Sequence, residues 1–120
     1  MKRILILEDS LIVRKLLASL LKARGYEVVE CDSVSGAMGK TGNIDLAILD
    51  YQLPDGNGLE IAEKIRSHRP GIPMFLLTAR GSHVPRAVAQ KAGIREYMEK
   101  PVEPEAIMSA VDLCFEQGAV

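Results

Sequence analysis

Apolar residues gather in five short runs, Ile4–Leu7, Tyr26–Val29, Leu46–Leu49, Met74–Leu77 and Arg95–Met98. Each is strand length and bounded by turn formers. The first, third and fourth are continuously apolar, the pattern of strands covered on both faces of a parallel sheet. Between the runs the period changes from two to three or four. Ile12, Leu16, Leu20 and Ala23 make one helical stripe, Leu59, Ala62 and Ile65 another, and Ile107, Ala110, Val111 and Cys114 a third. Gly25 stands where the first helix needs a C′ residue, and Pro104 where the last helix tolerates a missing N–H. Ser33–Gly39 and Val84–Ala92 supply two further helices, the former containing Gly36 and the latter Pro85 near its start.

The pattern is βα repeated five times. It predicts an α/β fold, a (βα)5 doubly wound, five-stranded parallel sheet with right-handed crossovers and helices on both faces. Such sheets place their sites at the carboxyl ends of the strands. No linker, internal repeat or low-complexity stretch interrupts the 120 residues, so residues 1–120 are expected to form a single domain, of a size that buries roughly two-thirds of its unfolded surface.

Polar residues with chemical potential follow four of the predicted strands. Glu8 and Asp9 follow the first, Asp50 the third, Thr78 the fourth, and Lys100 with Pro101 the fifth. Singly these read as a helix cap, a turn former, a loop hydroxyl and a surface cation. Asp9 or Ser10 alone would cap the helix beginning at Leu11. The topology, however, brings them to one rim, where three carboxylates repel unless a cation lies among them. Hard oxygen ligands suit Mg²⁺ or Mn²⁺ and a site shared with phosphate. Lys100 can then face one phosphoryl oxygen, with the Thr78 hydroxyl and the Ala79 N–H facing another. Asp50, ionised at neutral pH, can attack phosphorus without a general base, giving an aspartyl phosphate.

Glu-Asp after the first strand, Asp50 in AILDYQLPDGNG, Thr-Ala in FLLTAR and Lys-Pro in REYMEKP together resemble the receiver domain of bacterial two-component response regulators, over essentially the whole chain. The resemblance is to chemotaxis-regulator-like receivers and implies a flavodoxin-like sheet of order 2-1-3-4-5. It implies phosphoryl transfer to Asp50 from a sensor histidine kinase or a histidine phosphotransfer protein. Mg²⁺ would be held by Glu8, Asp9, Asp50 and the backbone carbonyl of Gln52. It also implies a switch in which Thr78 moves toward the phosphoryl group and Tyr97 rotates inward, changing the face made by the fourth helix, fifth strand and fifth helix for a protein target. A phosphorylation-dependent homodimer is compatible with that face. The domain would be a phospho-acceptor, not an enzyme beyond catalysing its own phosphorylation and dephosphorylation. Read without the resemblance, Tyr97 is an edge-strand aromatic, and LPDGNG is a turn with Gly56 or Gly58 at positive φ.

Three positions depart from the common pattern. The acid pair is Glu-Asp rather than Asp-Asp, which lengthens one ligand arm and leaves open contact through water. Arg80 stands two residues after Thr78, and Ile94 replaces a smaller residue. None removes a chemical participant.

Composition narrows the rest. Net charge is −1, with no basic block, so direct nucleic-acid binding by this domain is not expected. No apolar run approaches the ~20 residues of a membrane span, and MKRILILED turns acidic where a signal peptide would remain apolar. A cytoplasmic protein is expected, with Cys31 and Cys114 as semi-buried free thiols. His68 and His83 are isolated and read as surface residues. A haloacid-dehalogenase-type phosphatase needs an acid where Gln52 stands. Flavodoxin needs a phosphate loop where the acidic EDSLI lies, and a P-loop needs GxxxxGK. MKRILILED reads as a natural start, disfavouring a receiver at the end of a hybrid kinase. The alternatives left are the N-terminal receiver of a DNA-binding transcriptional regulator, or a degenerate receiver that only binds. Loss of Asp50, Lys100 or the acid pair would mark the latter, and all are present.

Overall fold

The computed structural model describes residues 1–81 and 84–118; His83 lies outside them. The strands are β1 (Arg3–Leu7), β2 (Glu27–Cys31), β3 (Leu46–Asp50), β4 (Met74–Thr78) and β5 (Glu96–Glu99). The helices are α1 (Leu11–Ala23), α2 (Val34–Met38), α3 (Gly58–His68), α4 (Arg86–Lys91) and α5 (Pro104–Gly118). All strand pairs in the main sheet are parallel, and their order is β2-β1-β3-β4-β5, as expected for a doubly wound, flavodoxin-like sheet.

The period-two alternation of strand side chains explains why apolar runs without polar interruption form the centre of this sheet. Leu5, Leu7, Ala47, Leu49 and Leu76 point to one face, where Ala37, Ile61, Ala62, Ile65 and Ala89 of α2, α3 and α4 cover them. Ile4, Ile6, Leu46, Ile48, Phe75 and Leu77 point to the other, beneath Leu17, Leu21, Ile107, Met108 and Val111 of α1 and α5. Two cores share one sheet, and the strand ends are held between them.

Helix ends follow local chemistry. The Ser10 hydroxyl accepts from the Val13 N–H at 3.3 Å, so Ser10 and not Asp9 caps α1. At its other end Gly25 adopts φ +89°; its N–H reaches the Lys22 carbonyl at 3.0 Å and that of Tyr26 the Leu21 carbonyl at 3.1 Å, a Schellman closure.

Several boundaries differ from expectation at the sheet edges. β2 starts at Glu27 and runs to Cys31, and β5 is displaced by one residue toward Glu99. Both are edge strands with half-buried side chains, so hydrophobicity marks their limits poorly. α4 begins only at Arg86, because Pro85 sits extended at ψ 134° as its cap. Cys31 and Cys114 are free and more deeply buried than expected, at 5% and 7% exposure. Burial pushes both thiols up. His68 is exposed. No helix among the described residues is long and apolar enough to cross a membrane.

Candidate functional site

The carboxyl ends of β1, β3, β4 and β5 converge on a cleft of about 370 Å³ lined by Asp9, Asp50, Gln52, Leu53, Pro54, Ala79 and Lys100. Glu8 and Asp50 are almost fully buried, at 1% and 3% exposure, whereas Asp9 is exposed at the mouth. One carboxylate oxygen from each of Glu8, Asp9 and Asp50 lies within 4.8 Å of the others. The acids separated by more than forty residues thus share one site, because β1 and β3 are neighbours in the sheet.

Lys100 bridges two of them. Its ammonium is 3.0 Å from Asp50 Oδ2 and 3.2 Å from Glu8 Oε1. The second Glu8 oxygen accepts from the Ser10 N–H at 3.1 Å. The backbone positions Lys100 as well: its N–H donates to the Thr78 carbonyl at 2.7 Å, tying the end of β5 to β4. The Lys100–Pro101 peptide is cis.

These contacts set the protonation of the cluster. Burial, and then the Glu8 charge beside it, raise the Asp50 carboxyl from 3.8 to about 7, against the opposing pull of Lys100. Burial would also raise Glu8, but the Ser10 N–H, Asp50 and Lys100 together bring it below its ordinary value. Of the two, Asp50 is therefore the one that takes up a proton first as pH falls, unlike the freely ionised carboxylate expected from the sequence. Lys100 loses by burial and gains more from the two carboxylates, so it stays protonated.

Thr78 is wholly buried, and its hydroxyl has no hydrogen-bond partner among the described residues. Such a group is costly unless something else satisfies it. A donor without an acceptor, at the end of the strand beside Asp50, suits an anionic ligand oxygen. The oxygen-only donor set of the three acids suits a hard divalent cation such as Mg²⁺, which would favour the ionised form of Asp50.

The LPDGNG segment is more than a turn. Gln52–Leu53 and Gly56–Asn57 form a small antiparallel hairpin beside the cleft. Asn57 caps α3, accepting from the Leu59 N–H at 2.9 Å while Glu60 accepts from the Asn57 N–H at 2.9 Å, a capping box. Asp55 accepts from the N–H groups of Val34 and Ser35 at 2.8 and 3.0 Å, joining this loop to the start of α2. Those two N–H bonds hold the Asp55 carboxyl below its usual range. Gly56 is the positive-φ residue, at +156°. Gly58 is required for another reason: a Cβ there would strike the Asp50 carbonyl oxygen and lie 3.2 Å from Leu49 Cβ.

Tyr97 is half-buried against the α2–α3–α4 core. Its hydroxyl donates to the Val84 carbonyl at 2.8 Å, and the Arg86 guanidinium lies 4.6 Å above its ring. The ring thus connects β5 to the segment that follows β4. Sequence reasoning missed the Asp55 latch and a contact from Arg14 to the Glu8 carbonyl at 2.9 Å. Both are side-chain-to-backbone bonds, for which no spacing rule exists. The nearest signal was the position of Arg14 one turn beyond the Ser10 cap.

Comparison with known proteins agrees with this geometry. Residues 4–112 match the response regulator receiver domain family. The chain is 32% identical to the transcriptional regulatory protein GlrR of Escherichia coli over 97% of its own length, and spans 27% of that protein. A CheY-like receiver domain structure from Methanospirillum hungatei JF-1 superposes with a TM-score of 0.89 at 29% identity, covering 98% of this chain and 95% of the other. The beryllofluoride-activated NtrC4 receiver domain dimer superposes with a TM-score of 0.86 at 27% identity, covering 98% of both chains. The chain belongs to the response regulator receiver domain family, the phospho-accepting module of two-component signalling.

Proposed function

We propose that Asp50 accepts the phosphoryl group, and that the donor is the phosphohistidine of a sensor histidine kinase or a histidine phosphotransfer protein. The observation that carries this reading is the buried Asp50–Lys100–Glu8 arrangement opening on a cleft beside an unsatisfied Thr78 hydroxyl. A carboxylate oxygen of Asp50 forms the new P–O bond as the P–N bond breaks, its electron pair leaving with the donor imidazole. Lys100 stays protonated through the transfer and turns from Asp50 toward a phosphoryl oxygen. The Thr78 hydroxyl and the Ala79 N–H donate to another. Glu8, Asp9, Asp50 and the Gln52 carbonyl would hold Mg²⁺, which when bound neutralises the carboxylates and draws charge from the phosphoryl oxygens.

Movement of Thr78 onto the phosphoryl group would pull on the segment that Tyr97 holds through Val84. The α4–β5–α5 face then presents a different surface to a protein target, or to a second copy of the chain. The dimeric activated NtrC4 receiver supports the latter. The transcriptional role of GlrR supports a place at the head of a longer DNA-binding regulator, of which this chain would be the receiver.

Asp9 of the β1–α1 turn lines the cleft that opens on Asp50, and the exposed residues that follow it on α1 are apolar. Leu11, Ile12, Val13 and Leu16 are 58%, 81%, 37% and 47% exposed. We assign this face of α1 to the donor protein. Wild type should take one phosphoryl group from acetyl phosphate and from the phosphorylated core of a sensor kinase of the same organism. Ile12→Glu should accept from acetyl phosphate at the wild-type rate and from the kinase core at least about tenfold more slowly, the loss expected for an interface hot spot. An equal rate from the kinase core, or equal slowing from both donors, contradicts the assignment.

A further inference from the structure

The two acids at the mouth of β1 are joined by one peptide plane, and the main chain is gripped on both sides of Glu8. The Glu8 N–H donates to the Cys31 carbonyl at 3.0 Å, and the Glu8 carbonyl accepts from Arg14 Nη1 at 2.9 Å. Arg14 is itself fixed. Its N–H bonds the Ser10 carbonyl at 2.9 Å in the first turn of α1. Its Nε forms an ion pair with Glu30 Oε1 at 3.4 Å, without a hydrogen bond, and the two side chains are only 13% and 19% exposed. Lys15 holds the other Glu30 oxygen at 3.2 Å. Glu30 immediately precedes Cys31, so both grips on Glu8 originate at the same end of β2.

A peptide unit is rigid and planar, so fixing its carbonyl fixes the direction in which the chain leaves it. The Glu8 carbonyl belongs to the plane that carries the chain from Glu8 to Asp9. Whatever holds it sets the relative aim of the two carboxylates. We propose that Arg14 is a positioning residue for the divalent-cation site, acting through the Glu8 main chain with Glu30 as its anchor. The inference rests on the reading of Glu8, Asp9 and Asp50 as that site, and it assigns Arg14 no contact with the cation or the phosphoryl group.

Charge and position predict opposite results, which makes the role separable. Removing a cation beside an acidic cluster should by itself tighten binding of a divalent ion. Removing a residue that aims the ligands should loosen it by about tenfold or more, the range seen when outer supports of metal ligands are lost. The test is a Mn²⁺ titration of the metal-free chain, followed by the electron paramagnetic resonance signal of the free ion. Far-UV circular dichroism checks the fold of each variant. Wild type should bind, and Asp9→Asn should bind far more weakly. Arg14→Met should weaken the dissociation constant about tenfold with an unchanged spectrum. Arg14→Lys keeps the charge but offers only a point donor, and should fall between Arg14→Met and wild type. Binding in Arg14→Met or Arg14→Lys as tight as wild type, or tighter, overturns the role of Arg14 while leaving the cation site standing. Failure of wild type to bind Mn²⁺ overturns the cation site and, with it, the role of Arg14.

Discussion

Asp50→Asn is expected to stabilise the metal-free protein at pH 8, against the general rule that substitutions at buried positions destabilise. Asp50 is 3% exposed, and its carboxyl is raised from 3.8 to about 7, by burial first and the Glu8 charge second. A carboxyl raised in the folded state contributes stability that is complete below its unfolded value and lost as pH rises through its folded value. Metal-free wild type should therefore lose stability between about pH 4 and pH 7. At about 1.4 kcal/mol per tenfold change the loss from Asp50 alone is roughly 4 kcal/mol. Glu8 is shifted the opposite way and offsets part of that loss. Asparagine keeps an acceptor for Lys100 and has nothing to ionise. Thermal unfolding in chelator should thus place the variant several degrees above wild type at pH 8, with the gap closing toward pH 4. Millimolar Mg²⁺ should raise wild type and narrow the gap at pH 8. A gap that is constant with pH contradicts the assignment of the buried charge.

Gly58→Ala should be the most damaging single methyl group in the chain. The added Cβ would overlap the Asp50 carbonyl oxygen, and its other near neighbours are the Asp50 carbonyl carbon and Leu49 Cβ, both at 3.2 Å. Backbone of a central strand cannot rotate away as a flexible side chain does. The Gly58 N–H also donates to the Tyr51 carbonyl at 3.0 Å, clamping α3 to the residue after Asp50. Relief requires that α3 or the end of β3 shift, at a cost of roughly 3 kcal/mol, the upper part of the range for overpacking. A shift on the order of 1 Å at Asp50 would slow phosphorylation by about a hundredfold. Gly71→Ala is the control, since a Cβ there meets nothing within 4 Å, and should change stability by less than about 0.5 kcal/mol. Denaturant unfolding of both variants, with acetyl phosphate uptake, measures the two effects. Wild-type behaviour of Gly58→Ala would show that the loop gives way more easily than the packing implies.

The parts of the fold legible in the sequence were those where one physical rule acts alone. β1, β3 and β4 are apolar on both faces, so their runs announce strands covered by two helical layers. Edge strands obey two rules at once. Glu27 and Glu30 of β2 and Glu96 and Glu99 of β5 fall on both faces of strands that the helices cover only in part, and hydrophobicity alone ends the runs early there. α4 was overextended because its apolar period continues back to Val84, while Pro85 holds the backbone extended.

The candidate site was legible for a topological reason. Glu8, Asp9, Asp50, Thr78 and Lys100 each follow an apolar run, and parallel order brings such positions together whatever their separation along the chain. What stayed hidden were bonds from side chains to backbone. Arg14 on the Glu8 carbonyl and Asp55 on the Val34 and Ser35 N–H groups depend on how turns and helix starts face one another. For the cap of α1 the sequence offers Asp9 or Ser10 equally, since both are good caps; the Ser10 hydroxyl on the Val13 N–H, with Ser10 extended at φ −72° and ψ 117°, selects between them.

The most direct test of Asp50 as phospho-acceptor is intact mass after incubation with Mg²⁺ and acetyl phosphate. Wild type, Asp50→Ala and wild type with chelator are measured side by side. The account predicts a single phosphoryl adduct on wild type that is absent from the variant and from the chelated sample. An adduct that survives in Asp50→Ala, or a folded, Mg²⁺-supplied wild type that takes none, would contradict it.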